Sequence, residues 1–336
     1  MKINKINKKI KVGVVFGGKS PEHEVSIVSA RGIIENIDKA IFGVVEIFID
    51  KKGLFWFGNG KNKKRFDPFK NSKDIDVFFP IIHGQSGEDG EIQGLFRTIN
   101  KPFVGADILA SSICLDKGIF KLILKAEGLS QVEFEILDYK KMPEKQIASL
   151  ISKTRKEFSF PVFVKPCNSG SSVGIYKVKN KKDLSKYINL SRKFDFRIVV
   201  EESVELAREI EVAVIGNNYS NIEASLPGEI IAGAEFYDYN DKYKDGKAET
   251  VAPANISSAQ RVQIQKLAVE VYSLTCCEGL ARVDFFIDKK GKIFINEINT
   301  LPGFTPISMY PKMWQASGLN YKSLITKLIM LALKKK

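Results

Sequence analysis

The sequence has few of the residues on which metal and redox sites are usually built. Its 336 residues include only four cysteines and two histidines, His23 and His83. Cys276 and Cys277 are adjacent and the other two cysteines stand alone, so no CxxC pair is available for zinc or thiol–disulfide chemistry. These shortages rule out a disulfide-stapled scaffold and argue against a histidine-based metal site.

Long apolar runs are also missing. Residues 328–333 form one of the longest, well short of the roughly 18 residues needed to span a bilayer. The basic N-terminal stretch is not followed by an apolar segment with a small-residue cleavage site. We therefore expect no membrane partner, no secretory leader and a cytoplasmic location with free cysteines.

Acidic residues are outnumbered by basic ones, with 39 Asp and Glu against 52 Lys and Arg, which gives a net charge of +13. Such an excess raises nucleic acid as a partner. The lysines are scattered over turns and the C-terminal tail, however, and no basic helix or aromatic-interleaved module is present. We expect a solvated basic surface and no nucleic-acid partner. A non-catalytic nucleic-acid-binding protein is the alternative, favoured by the net charge alone.

The length and the pattern of apolar runs predict three units of mixed α/β and α+β class. Residues 1–107 read as an open parallel α/β domain, in which a strand ends at Gly17 and a helix begins at Ser20. Residues 108–201 and 202–336 form the second and third units. The predicted strands are 11–16, 44–49, 77–82, 131–137, 162–165, 209–215, 279–287 and 293–298. The predicted later helices are 112–125, 143–156, 258–275 and 321–333.

One phosphate-binding pattern is interpreted as a coincidence. Residues 13–20 satisfy the P-loop spacing, GxxxxGK followed by Ser. Val14, Val15 and Phe16 fill loop positions of that pattern although they belong to a strand, and Pro21 removes a backbone donor. We therefore expect Gly17 to end the strand in a plain turn.

A stronger phosphate signal follows the strand that ends near Lys165. The next residues, 166–174, are rich in Ser and Gly, so backbone N–H groups and a lysine can approach a polyphosphate. A hairpin loop of similar composition explains the residues equally well. The sequence leaves both readings open.

Oxygen donors are spaced along two consecutive strands. Residues two apart share a face, which places Arg282 with Asp284 and Glu297 with Asn299. The turn at residues 288–291 predicts that the strands are antiparallel neighbours, so the three oxygen donors gather as Mg²⁺ prefers. The alternative is a row of surface charge, which is costly on otherwise apolar strands.

Two loops complete the candidate site. The loop 83–90 begins with His83 and follows a strand, so it is expected to face the same crevice as the turn 17–24. The polar, tyrosine-rich segment 237–246 is too long for a simple connection and is a candidate lid.

Together these motifs resemble the D-alanine–D-alanine ligase family of the ATP-grasp superfamily over nearly the whole chain. The motifs are residues 17–26, 83–90, 165 with 170–174, 242–243, 282–284 and 296–305. The resemblance implies an ATP-grasp fold behind an N-terminal substrate-binding domain, with the metal site and lid in the third unit. It also implies ATP-dependent ligation of two D-alanines through a D-alanyl phosphate, for peptidoglycan synthesis, cell-wall biogenesis and cell shape. Two Mg²⁺ or Mn²⁺ ions and a homodimer complete the expectation.

The resemblance also implies residue roles. It assigns ATP to Lys117, Lys165, Glu202, Val204, Glu209 and Lys242, with Glu202 and Glu209 at the adenine hinge and ribose. It assigns the metal ions to Asp284, Glu297 and Asn299. It assigns a triad that closes the lid, residues 232–252, to Glu22, Ser171 and Tyr243, and an oxyanion hole to Arg282 and Gly303. It assigns the first D-alanine to Glu22 and His83, and the carboxylate of the second to Ser308 and the Met309 backbone.

The sequence departs from the family pattern in a few places. Leu115 stands where methionine is usual, and Glu201–Ser203 replaces a more basic hinge. Lys242 and Tyr243 favour the dipeptide product over D-alanyl-D-lactate. Another carboxylate–amine or carboxylate–hydroxyl ligase, using D-serine or D-lactate, is the alternative within the superfamily.

Overall fold

In the part of the chain that the structure describes, three β-sheets follow one another. The computed structural model describes residues 9–58, 60, 63–170, 172–217, 220–231, 249–305 and 307–334. Within these ranges no helix is long and apolar enough to cross a membrane.

The first sheet has the order β4-β3-β2-β1-β5. Its strands are β1 (Ile10–Gly17), β2 (Phe42–Ile49), β3 (Phe55–Phe57), β4 (Lys64–Arg65) and β5 (Val77–Pro80). Strand β1 pairs in parallel with β2 and β5, which confirms the predicted parallel core, whereas β3 and β4 add an antiparallel edge. The edge follows from the tight turn after β2, where Gly53 at φ +81° donates its N–H to the Asp50 carbonyl oxygen at 2.9 Å.

The helices of this unit are α1 (His23–Asn36), α2 (Pro68–Asn71) and α3 (Glu91–Thr98), with a 3-10 turn at Ser72–Asp74. The predicted helix start at Ser20 is wrong, because α1 begins at His23. Ser20 accepts the Glu22 N–H through Oγ at 3.1 Å and donates the same hydroxyl to the His83 carbonyl oxygen at 2.7 Å. Ser20 therefore joins the turn after β1 to the loop after β5. The reading of residues 13–16 as strand rather than P-loop is confirmed.

The second sheet is antiparallel, in the order β6-β9-β7-β8. Its strands are β6 (Phe134–Asp138), β7 (Val162–Pro166), β8 (Tyr176–Val178) and β9 (Arg197–Glu202). Its helices are α4 (Ile108–Leu115), α5 (Lys117–Ala126), α6 (Glu144–Glu157) and α7 (Leu184–Ser191), the last preceded by a 3-10 turn at Lys181–Asp183.

The prediction of a single helix over 112–125 is wrong, because the helix is interrupted at Asp116. Its backbone is extended, its carboxylate accepts the Ile119 N–H at 2.9 Å, and the same carboxylate pairs with Arg197. Asp116 therefore caps a new helix, α5, whose first residue is Lys117.

The third sheet is antiparallel and has the order β13-β12-β10-β14-β15, with β11 beside β10. Its strands are β10 (Arg208–Asn217), β11 (Ser220–Ala224), β12 (Gly228–Ile231), β13 (Glu249–Val251), β14 (Gly279–Ile287) and β15 (Ile293–Asn299). Its helices are α8 (Ser258–Leu274), α9 (Met309–Ala316) and α10 (Tyr321–Leu333). Helix α9 was not expected from the sequence.

The first sheet, the third sheet and helix α10 share one apolar core. Leu324 and Leu328 of α10 belong to the same buried cluster as Val12 and Phe79 of the first sheet. Burial of this kind contributes about 25 cal/mol per Å² of apolar surface. The core therefore holds the loops after β1 and β5 against the end of the third sheet, where the candidate site forms.

Candidate active site

A cavity of about 1350 Å³ is lined by elements and loops from around all three sheets. Its walls come from the turns after β1 and β5, the start of α5, strands β7, β9, β10, β14 and β15, and the start of α9.

A buried cluster of three charges lies in the wall formed by β7, β9 and α5. The β7–β9 register places Lys165 and Glu201 on one face of the sheet. Lys165 Nζ pairs with Glu201 Oε1, and Lys121 Nζ lies 2.8 Å from Glu201 Oε2. The side chains of Lys121 and Glu201 are each only 3% exposed.

For Glu201 and Lys165, the opposite charge nearby shifts the pKa more than burial does. Burial raises the pKa of Glu201, but Lys121 and Lys165 outweigh it and lower that pKa to about 2. Burial opposes the charge of Lys165, yet Glu201 leaves the pKa of Lys165 raised. For Lys121 burial prevails over Glu201, and its pKa is lowered.

Lys117 lies against the Ser/Gly loop because α5 begins there. Its backbone N–H donates to the Cys167 carbonyl oxygen at 2.9 Å, and its Nζ donates to the Ser169 carbonyl oxygen at 2.6 Å. Nζ is also 3.9 Å from Glu297 Oε2. The break at Asp116 thus brings a second cavity lysine beside the loop that follows Lys165.

The predicted pairing of β14 with β15 is confirmed. Asp284 lies opposite Glu297, and Arg282 lies opposite Asn299. Arg282 donates Nε and Nη2 to the two Asp284 oxygens, both at 2.7 Å, and Nε is 3.2 Å from Glu211 Oε1. Burial opposes the charge of Arg282, but Asp284 and Glu211 raise its pKa well above the usual value, so Arg282 is a fixed cation.

The donor set fits a magnesium ion whose remaining ligands are phosphate and water oxygens. No group of three or more His, Cys, Asp or Glu side chains converges as a metal site in the described ranges. Asp284 and Glu297 supply two carboxylates, and Asn299 adds an amide oxygen that also accepts the Leu301 N–H at 2.9 Å. Mg²⁺ is commonly held by one or two carboxylates with phosphate and water oxygens completing its shell.

His83 is buried and held in one tautomer. Its Nδ1 is 3.3 Å from the Leu301 carbonyl oxygen and its Nε2 is 3.0 Å from Ser29 Oγ. A carbonyl only accepts, so Nδ1 carries the proton and Ser29 donates to Nε2. Burial lowers the pKa of His83 against the charge of Glu22, which keeps the ring neutral.

Two carboxylates lie near His83, those of the buried Glu22 and of Glu88, whose side chain is 12% exposed. Burial and the charge of Glu22 raise the pKa of Glu88 to about 8, although its Oε1 accepts the Gly84 N–H at 2.9 Å. A Cβ at Gly84 would lie 2.7 Å from Glu22 Oε2, and φ at Gly84 is +74°. Glycine is therefore required where the Glu22 carboxylate enters the cavity.

The far end of the cavity is formed by the start of α9. Ser308 does not cap its own helix, because its Oγ accepts the Thr305 N–H at 3.0 Å and bonds to Thr305 Oγ1 at 2.7 Å. A Cβ at Gly303 would lie 3.0 Å from Ser308 Oγ, so the Gly303 backbone approaches this end closely.

Most of the predicted site residues line this one cavity: Glu22, His83, Lys117, Lys165, Glu202, Val204, Glu209, Arg282, Asp284, Glu297, Asn299, Gly303, Ser308 and Met309. Ser171, Lys242, Tyr243 and residues 232–248 of the predicted lid lie outside the described residues.

Glu201 and Lys121 were missed by sequence reasoning. Alternation along β9 puts Glu201 on the Lys165 face and Glu202 on the opposite face, where Glu202 Oε1 accepts the Ser159 N–H at 2.6 Å. Two adjacent glutamates on a strand must face opposite sides, so the sequence indicated that one of the two faces Lys165. Choosing between them required the β7–β9 register.

Comparisons with known proteins agree over most of the chain. A family model described as "D-ala D-ala ligase C-terminus" matches residues 123–330. A second, described as "D-ala D-ala ligase N-terminus", matches residues 11–68 and 58–106.

Individual relatives agree with the family models. A protein named D-alanine--D-alanine ligase from Natranaerobius thermophilus is 41% identical, with 97% of this chain and 95% of that protein covered. The solved VanG D-Ala:D-Ser ligase from Enterococcus faecalis has a TM-score of 0.87 at 31% identity, covering 97% of this chain and 100% of that one. The solved D-alanine-D-alanine ligase from Coxiella burnetii has a TM-score of 0.84 at 34% identity, with 97% and 94% covered.

Proposed function

The chain belongs to the D-alanine–D-alanine ligase family, and we propose that it joins two D-alanine molecules into D-alanyl-D-alanine in an ATP-dependent reaction. Its fold is the ATP-grasp fold with an N-terminal α/β domain, as predicted. The observation that carries the proposal is that one cavity is lined by lysines, by oxygen-bearing side chains on β14 and β15, by the buried Glu22 and by Ser308 at the start of α9.

ATP is proposed to bind with its phosphates at Lys117 and Lys165 and with its nucleoside toward residues 202–204 and Glu209. Lys117 and Lys165 come from different elements and both line the cavity, which is an arrangement suited to phosphate binding. Lys242 is proposed as a third phosphate ligand.

Asp284, Glu297 and Asn299 would hold the two Mg²⁺ or Mn²⁺ ions. When bound, such ions neutralise the charge of the phosphates during phosphoryl transfer. Arg282 orients the Asp284 carboxylate, because both of its oxygens accept from the guanidinium.

The first D-alanine is proposed to bind with its ammonium at Glu22 and beside the neutral His83. Its carboxylate attacks the γ-phosphorus of ATP, which gives D-alanyl phosphate and releases ADP. Positioning and charge neutralisation supply most of the catalysis in such a transfer. Glu22, Ser171 and Tyr243 are proposed to close the lid, which keeps water from the acyl phosphate.

The second D-alanine is proposed to bind with its carboxylate at Ser308 and the Met309 backbone. Its neutral amine attacks the acyl carbon and loses a proton, the peptide bond forms, and the C–O bond breaks so that phosphate leaves. Negative charge gathers on the carbonyl oxygen in between, and Arg282 with the Gly303 N–H is proposed to stabilise it. The pKa of Arg282 ensures its positive charge throughout.

We further propose a role in peptidoglycan synthesis, a cytoplasmic location and a homodimer, and we propose no nucleic-acid partner. These proposals extend the ligase activity and do not enter its chemistry.

The test is ADP release by the purified chain with ATP, Mg²⁺ and D-alanine, with the product identified by mass spectrometry. D-alanyl-D-alanine formed in step with ADP, and none from L-alanine, is the expected result. D-serine and D-lactate are also tested as acceptors, because one of the structural neighbours is a D-Ala:D-Ser ligase. Salt-sensitive nucleic-acid binding without ADP release would overturn the proposal.

A further inference from the structure

Lys312 lies in the cavity wall, one helical turn after Ser308. Its backbone N–H donates to the Ser308 carbonyl oxygen at 3.3 Å, so the two side chains lie on the same side of α9, and both line the cavity. The Lys312 side chain is half-buried, and its Nζ donates to Thr250 Oγ1 on β13 at 2.7 Å.

The charge of Lys312 has no carboxylate partner in the described ranges of the chain. Its ammonium has three donors, and the Thr250 hydroxyl takes one of them. Lys165 and Lys121, in contrast, share the Glu201 carboxylate. A half-buried cation that meets only a neutral hydroxyl is stabilised when a ligand brings a negative charge.

The ligand at this end of the cavity has such a charge if the proposed function is correct, and the inference rests on that function. The acceptor amino acid reacts through its amine, so its carboxylate stays ionised. The groups already assigned to it, the Ser308 hydroxyl and the Met309 N–H, are neutral donors. We propose that Lys312 determines acceptor specificity, selecting an acceptor with a free carboxylate over a neutral one.

The bond to Thr250 explains how a long side chain can do this. A free lysine side chain loses considerable rotamer entropy when it is immobilised. Thr250 holds Lys312 Nζ beside the cavity before the acceptor arrives, so less of that entropy is lost on binding. An acceptor with an amide in place of the carboxylate leaves the ammonium without an anion.

Competition between two acceptors tests the inference. D-alaninamide cannot be phosphorylated, because it has no carboxylate, and it can therefore serve only as the acceptor. The purified chain receives ATP, Mg²⁺, D-alanine and D-alaninamide, and mass spectrometry gives the ratio of D-alanyl-D-alaninamide to D-alanyl-D-alanine. Both acceptors react with the same acyl phosphate, so the ratio measures only the selection of the acceptor. A general loss of activity or stability leaves it unchanged.

Lys312→Met removes the charge and keeps the length of the side chain, and we expect it to raise the amide-to-acid ratio about tenfold. Lys312→Gln is the second neutral variant and has the same expectation. Lys312→Arg keeps the charge and is expected to stay near the wild-type ratio. The matched control is Lys327→Met, since Lys327 pairs with Glu223 outside the cavity and the ratio should not change.

A rise below about threefold in both neutral variants, or an equal rise in Lys312→Arg, would overturn the inference. If the wild-type chain makes dipeptide while the neutral variants keep its ratio, Lys312 has no such role and the ligase function stands. If the wild-type chain makes neither product, the ligase function fails and the inference fails with it.

Discussion

Arg282 holds Asp284 through two parallel hydrogen bonds of 2.7 Å from neighbouring positions on one face of β14. The pair lies in the cavity wall, where Asp284 also faces Glu297 across the strand pair. One guanidinium therefore orients a proposed metal ligand and supplies a fixed positive charge to the proposed reaction centre.

Arg282→Lys tests this double role. Lysine keeps the charge but cannot bond to both Asp284 oxygens in a fork. We expect kcat to fall about 100-fold or more, with a smaller change in the KM for ATP. Steady-state kinetics measure both, and Arg97→Lys is the control, because Arg97 forms a similar pair with Asp107 on the exposed surface. Near-normal kcat in Arg282→Lys would remove Arg282 from the proposed chemistry.

Glu297→Gln tests the proposed metal ligands. The amide keeps the shape of the side chain but lacks the charge that binds Mg²⁺. We expect turnover to require at least about tenfold more Mg²⁺ than wild type, and chelation to stop turnover in both proteins. A magnesium titration of the initial rate gives the measurement, with the exposed Glu144→Gln on α6 as the control. An unchanged magnesium curve would contradict the assignment.

Acid sensitivity tests the Lys121–Glu201–Lys165 cluster. Because the pKa of Glu201 is lowered to about 2, its charge stabilises the fold above the unfolded-state value of 4.5, and this stabilisation is lost as pH falls toward 2. The loss is on the order of 3 kcal/mol in the free energy of unfolding. Urea unfolding between pH 5 and 2.5 measures it. Glu201→Gln should be less stable at pH 7, and its free energy of unfolding should depend less steeply on pH. A pH dependence as steep as that of wild type would show that Glu201 does not cause the acid sensitivity.

The raised pKa of Glu88 predicts the opposite trend, a loss of stability as pH rises. Its pKa is raised to about 8 in the folded chain, so the folded state holds a proton that the unfolded state releases above 4.5. Stability therefore falls as pH rises from about 4.5 to 8. Glu88→Gln stays neutral and should lose less stability over that interval, measured by thermal unfolding at fixed ionic strength. Parallel pH curves for the two proteins would show that Glu88 is ionised in the native state.

Local patterns predicted the parts of the site that depend on short-range structure. The turn at residues 288–291 fixed the pairing of its flanking strands, so the shared face of Asp284 and Glu297 followed from alternation. The parallel strands β1, β2 and β5 were likewise visible as apolar runs.

The missed features depend on contacts between distant parts of the chain. The helix break at Asp116 is stabilised by Arg197, which is 81 positions away. Glu201 could not be preferred over Glu202 without the β7–β9 register, because β7 and β9 are not consecutive strands. Lys312 lies on α9, which the sequence reading left unassigned, and its hydroxyl partner is on β13.

Isotope transfer tests the central claim most directly, that one cavity activates a D-alanine carboxylate and passes its acyl group to a second D-alanine. The purified chain receives ATP, Mg²⁺ and D-alanine with both carboxylate oxygens labelled by ¹⁸O, and mass spectrometry follows the released phosphate. The account predicts one ¹⁸O atom in the phosphate for each D-alanyl-D-alanine formed, because the carboxylate oxygen bridges carbon and phosphorus before the C–O bond breaks. Dipeptide formed with unlabelled phosphate, or no dipeptide at all, would contradict it.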